Sequence, residues 1–230
     1  MMLRDYIHQR QKMLKESNNF YTSSGIQIFT KDELINNDID IDSVVAKFES
    51  HLPEHTRDEI EMIIIGHFKE FEERGINAFY KNGAIHVSNV QDDVADLIDD
   101  LIHETAHSLE DAHGYFIYAD QKLEKEFLRK RENLYNILWK TNYKAPFDMF
   151  MDSEYDQEFD EFLYQDIGYN KLSELLRGVF ITPYAATSLR EYFATGFTEF
   201  YLYPDNHNYL KKISPELYKK ILQLHHQNFT

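Results

Sequence analysis

The sequence predicts an α+β fold, mostly helical with a small sheet. Three observations predict it. Long stretches carry apolar residues at three- and four-residue intervals, one Asn-Gly pair stands between two short apolar runs, and only 8 Gly and 5 Pro punctuate 230 residues. Hydrophobic residues at 43% and aromatics at 15% supply enough apolar surface for a packed core and place the chain outside the disordered class.

Taken in order, a polar N-terminal helix is followed by Ser23-Ser24-Gly25, which introduces a short strand over Ile26 to Phe29. From Thr56 to Arg74, Ile60, Ile63, Ile64, His67, Phe68 and Phe71 recur at helical spacing and stop at Gly75, a residue suited to a C-cap, so this run reads as one amphipathic helix. Ile76 to Tyr80 and Ala84 to Val87 flank Lys81-Asn82-Gly83 and predict a β-hairpin, because Asn-Gly tolerates the positive φ angles of a tight turn. Asp92 to Asp111 returns to helical spacing, with Val94, Leu97, Ile98, Leu101, Ile102 and Leu109 on one side and acids on the other. Further helices are expected around 121–140, 154–165, 169–180, 188–202 and 214–226, with breaks at Ala145-Pro146 and Ser214-Pro215.

Charge and composition narrow the function classes. A formal net charge of -16 opposes a surface that tracks phosphates, so no nucleic acid partner is expected. The absence of cysteine removes disulfides, thiolate nucleophiles and sulfur-ligated metals together, and leaves His, Asp and Glu as the strong ligands. No stretch reaches the length and apolarity of a membrane span, and the first residues lack the unbroken apolar core of a signal peptide. The chain therefore reads as soluble, without a membrane partner, and cytoplasmic or virion-associated; its oligomeric state is not legible.

One motif carries chemistry. His103, Glu104 and His107 form HExxH inside the helix predicted over 92–111. Residues four apart share a helix face, so both imidazoles can meet one ion, with Glu104 beside them as general base for a metal-activated water. The competing reading is two ordinary helical histidines. Two residues compete as third ligand. His113 lies six positions after His107, as in metzincins, but Glu110 stands where those enzymes need Gly for a sharp turn. Glu191 follows Ser188, a suitable helix cap, and a carboxylate from this second helix would give a His₂Glu set with one position left for water. On spacing alone, a solvated Glu at a helix start, favoured by the helix dipole, is the better account of Glu191.

These residues resemble the anthrax lethal factor-like zinc metallopeptidases, which include the Pro-Pro endopeptidases. The likeness rests on HExxH followed by an acidic stretch and Gly, here His103 through Glu110, Asp111 and Gly114, and on Tyr184 seven residues before Glu191-Tyr192-Phe193-Ala194. It implies a zincin-like domain binding one zinc ion through His103, His107 and Glu191, with Glu104 as general base. Tyr184 would donate to the oxyanion or protonate the leaving amine, and the partner would be a peptide or protein substrate. Residues 1–54 then form an N-terminal helical or extended segment and 55–230 the metallopeptidase domain, with a helical insertion at about 115–165. Thr195 replaces a second acid common in the family's Glu-Phe-Phe-Ala-Glu helix. The alternative is an inactive protein of the same fold, serving a binding or structural, for instance virion-associated, role.

Two other clusters invite a functional reading but have simpler ones. Asp92, Asp93, Asp96, Asp99 and Asp100 read as a solvated helix face at an N-terminus, although Asp99 or Asp100 could orient His103. Phe147, Phe150, Tyr155, Phe159, Phe162 and Tyr164 could line a peptide groove, with core packing the default.

Overall fold

The structure is a computed structural model that describes residues 19–36 and 38–226. The expected N-terminal helix lies outside the described residues. The fold is α+β, as predicted, and divides into two compact units that meet in sequence between Ser108 and Leu109.

The first unit holds a five-stranded sheet in the order β1-β2-β3-β5-β4. β1 (Asn19–Tyr21) runs antiparallel to β2 (Gln27–Thr30), and β2, β3 (Met62–Gly66) and β5 (Ala84–Ser88) are mutually parallel. β4 (Ala78–Lys81) closes the far edge antiparallel to β5. The hairpin forms as predicted, with Asn82 at φ 50° and Gly83 at φ 81° supplying the turn. Register places Ile28, Ile63 and Ile85 side by side, all buried, while Phe29, Ile64, His86 and Phe79 form the row on the opposite face. Helix α1 (Ile41–His51) lies in the crossover between β2 and β3 and buries Val44, Val45 and Phe48.

The helix expected over Thr56 to Arg74 is corrected. Its middle is β3, preceded by a single 3₁₀ turn at Glu54–Thr56 and followed by the short helix α2 (Lys69–Arg74). The apolar spacing fits a helix, but Ile63-Ile64-Ile65 is a β-branched run that prefers a pleated surface, and pairing on both sides with β2 and β5 satisfies its backbone. Gly66 ends the strand where a Cβ would come within 2.9 Å of Asp32 Oδ2, the atom that accepts from His67 N–H. Gly75 is the C-cap the sequence suggests, at φ 63°.

Helix α3 (Val94–Tyr118) carries the HExxH residues and continues past the predicted end, with non-helical angles at His113 (φ −123°, ψ 19°). The second unit continues with α4 (Lys122–Lys140), α5 (Phe147–Phe150) and α6 (Gln157–Glu161). A π-helical turn, Phe162–Ile167, ends at Gly168 and leads into α7 (Tyr169–Leu175). After a 3₁₀ turn at Tyr184–Ala186 come α8 (Leu189–Leu202), α9 (His207–Ile213) and α10 (Pro215–His226). The helix expected over 169–180 is shorter than predicted, and α9 was not anticipated. The aromatic cluster splits: Phe150 and Phe159 are core, whereas Phe147, Tyr155 and Tyr164 are exposed.

Charged groups enter this second core. From α4, Glu126, Lys130 and Arg131 are buried beside Phe127 and Leu134. Glu126 accepts from Tyr192 Oη at 2.9 Å and from the backbone N–H groups of Glu216 and Leu217 at 2.9 and 3.1 Å, capping α10 and tying it to α8. Lys130 donates to the carbonyl oxygens of Val179 and Ile213. No helix among the described residues is long and apolar enough to cross a membrane.

Candidate metal centre

Helix α3 starts where Asp93 Oδ1 accepts from the N–H groups of Ala95 and Asp96 at 2.6 and 3.1 Å, satisfying two donors that the first turn leaves open. Its apolar side, with Leu97, Ile98, Leu101, Ile102, Ala106 and Leu109, is buried. His103 and His107 share another side, their ring centroids 5.0 Å apart and the planes at 74°. Glu104 is only 6% exposed.

Helix α8 delivers the third group. Ser188 is the N-cap, as its sequence position suggests, and its Oγ accepts from Glu191 N–H at 3.1 Å. Tyr192, Phe193 and Phe197 anchor the helix in the core, which fixes the rotation of Glu191 about its axis. One ligand atom from each of His103, His107 and Glu191 lies within 4.8 Å of the others, and all three side chains are half-buried. A tetrahedral ion holds its ligand atoms about 3.4 Å apart. Two imidazoles and a carboxylate make a donor set compatible with a divalent metal ion and leave one position of a tetrahedron open. His113, the competing third ligand, is not part of this group: helix α3 runs through Glu110 without the sharp reversal that would return His113 toward His103 and His107.

Tyr184 occupies the 3₁₀ turn before α8 and is half-buried. Its carbonyl accepts from both the N–H and the Oγ1 of Thr187, at 3.0 and 2.8 Å, which holds the turn closed. Thr195 is buried one turn beyond Glu191.

Sequence reading missed the groups around these residues. Glu110 has a side chain only 3% exposed; it accepts from Tyr118 Oη and, at 3.3 Å, from Nε of Arg190, the residue preceding Glu191. Burial and the Glu110 charge push the Tyr118 hydroxyl far up, so it stays a donor. Burial opposes the Arg190 charge, but Glu110 outweighs it and holds the guanidinium above its usual value. The signal available was a Glu three residues after His107, read as the residue that spoils a Gly turn and as part of an acidic stretch, not as a buried group. The acidic cluster also divides. Asp92, Asp93 and Asp96 are exposed, as expected, but Asp99 and Asp100 are half-buried. Burial is the main cause that raises Asp100 to about 6, against a hydrogen bond from Gln91 Nε2 at 3.0 Å.

Comparison of the chain with protein-family models, curated proteins and solved structures returns no match.

Proposed function

We propose that this chain is a zinc-dependent metallopeptidase with a zincin-like domain, of the lethal factor-like kind its motifs resemble. The convergence of His103, His107 and Glu191 from two helices far apart in sequence is the observation that carries the reading. The same three residues are those the motif resemblance selects, and the donor set is that of catalytic rather than sulfur-rich structural zinc.

A bound zinc ion would supply a Lewis acid that makes its water a nucleophile near neutral pH and polarises the substrate carbonyl. Glu104, on the same helix as both imidazoles and largely shielded from solvent, takes the proton from the attacking water and passes it to the amide nitrogen as the C–N bond breaks. The Tyr184 phenol donates to the oxygen on which negative charge develops, a role most effective in a preorganised site that excludes water. Ser188 and the buried aromatic side of α8 hold Glu191 in place through the cycle. Substrates are peptides or proteins, and the charge of -16 favours encounter with basic ones.

Elemental analysis and a peptide-library screen of wild type, Glu104→Gln and Glu191→Gln test this. One zinc per chain is expected in wild type and Glu104→Gln, with loss in Glu191→Gln; cleavage should fall about 10²-fold or more in Glu104→Gln. Wild type without zinc would overturn the reading. Zinc whose removal unfolds the chain, with no peptide cleaved, would replace it with the inactive binding or structural role.

A further inference from the structure

We infer that Arg131 is a positioning residue for the metal centre: from the middle of α4 it fixes the turn that carries Tyr184 and delivers Glu191. The inference rests on the function proposed above and adds to it a residue that neither motif contains.

Arg131 is 1% exposed, and its hydrogen bonds are directed at backbone. Nη1 donates to the carbonyl oxygens of Ala186 and Thr187, at 2.5 and 3.2 Å. Nε donates to Phe150 O at 3.2 Å and Nη2 to Met149 O at 2.6 Å. The face of the guanidinium stacks on Phe159 at 3.7 Å. One planar cation thus caps two helical ends at once, the last turn of α5 and the 3₁₀ turn of Tyr184–Ala186, where carbonyl groups lack intrahelical partners. Ser188 follows Thr187 directly, and its Oγ holds Glu191 N–H. The chain of contacts from Arg131 to Glu191 is therefore two residues of backbone and one capping hydrogen bond. A second tie from the same region, Leu189 N–H to Ser153 O at 2.8 Å, fixes the first residue of α8.

The chemistry argues for position rather than stability. A buried cation without a hydrogen-bonded carboxylate bears a desolvation penalty that an apolar side chain of equal size avoids. Burial pulls Arg131 down to about 9, with Asp152 and Asp156 opposing only through longer-range attraction. Lysine, with one compact ammonium, cannot span both pairs of carbonyls, whereas the rigid fork of Arg does.

The test compares Arg131→Met and Arg131→Lys with Lys130→Met. Lys130 is its neighbour, is also buried, and donates only to Val179 and Ile213, away from the Tyr184 turn. Amide exchange by NMR and zinc affinity by competition with a chelator are measured on each full chain. Both Arg131 variants should lose protection at Thr187, Leu189 and Glu191 and bind zinc about 10- to 100-fold more weakly, the range seen when groups behind metal ligands are removed. Lys130→Met should match wild type in both readouts. If Arg131→Met does not fold, Arg131→Lys carries the comparison. Equal zinc affinity in wild type and the Arg131 variants would overturn the inference alone, as would a loss shared by Lys130→Met. Absence of zinc from wild type would overturn the metal reading on which it rests.

Discussion

The two units solve the problem of a core in different ways. In the first, the central strands β2, β3 and β5 bring isoleucine and valine into register, and the buried side chains of these strands are hydrocarbon apart from Ser88. In the second, Glu110, Glu126, Lys130, Arg131 and Lys220 are buried among the aromatic rings, each fastened to backbone or hydroxyl groups. A sheet satisfies its own backbone by pairing, so its core needs no polar groups. A bundle of short helices joined by turns leaves many helix ends in the interior, and each end needs a partner. Glu126 supplies one for the start of α10, Arg131 for the ends of α5 and the Tyr184 turn, and Lys220, through Phe116 O at 2.9 Å, for the last turns of α3.

The contrast is sharpest at Glu126. Glu126→Ala strands two N–H groups at the start of α10 and the Tyr192 hydroxyl, and should destabilise the chain by about 4 kcal/mol in urea or thermal unfolding. In the first unit, Ile63→Ala creates only a cavity, with an expected loss of about 3 kcal/mol. If Glu126→Ala proves the milder of the two, the charged groups of the second unit are not what holds it together. Ser188→Ala removes one capping bond and should cost about 1 kcal/mol of stability; on the proposed function, it should also weaken zinc binding through the freed start of α8. The smallest effect is a pH slope. Lys130 is held down to about 8, mainly by burial with Glu126 opposing, so between about 8 and its ordinary value near 10.5 the unfolded chain binds a proton that the folded chain has released. Stability from this group therefore rises with pH across that window, and Lys130→Met should flatten the rise in a series of urea titrations.

The same contrast decides what the sequence discloses. The hairpin was legible because Asn82 and Gly83 are residues that accept positive φ, and Gly75 and Ser188 were legible as caps for equally local reasons. HExxH was legible because both imidazoles sit on one helix face. β3 was misread because Ile60, Ile63, Ile64, His67 and Phe68 also satisfy a helical period; the β-branched run itself was the better guide. In the second unit, Glu126, Lys130 and Arg131 fall on the apolar stripe of α4, where pattern reading assigns charge to solvent. Their partners are carbonyl and amide groups, which every residue carries, so no side-chain pattern announces them. Glu191 lies between these cases. Its cap was readable, but its approach to His103 and His107 depends on tertiary packing, and only the Tyr184 and Glu191 motif pointed there.

Gly196 gives the second unit a feature that bears on how such a sequence can drift. A Cβ at this position of α8 would come within 2.3 Å of Leu217 Cδ2, so α10 approaches α8 as closely as it does only because residue 196 has no side chain. In the interior of a helix, Gly costs about 1 kcal/mol relative to Ala, a penalty selection removes wherever room permits. Here there is none. Replacement at 196 becomes neutral only after residue 217 has shrunk, and shrinking residue 217 first leaves a void beside Gly196. The two positions are therefore bound to change as a pair, and lineages that alter one without the other would shift the helix that bears Glu191.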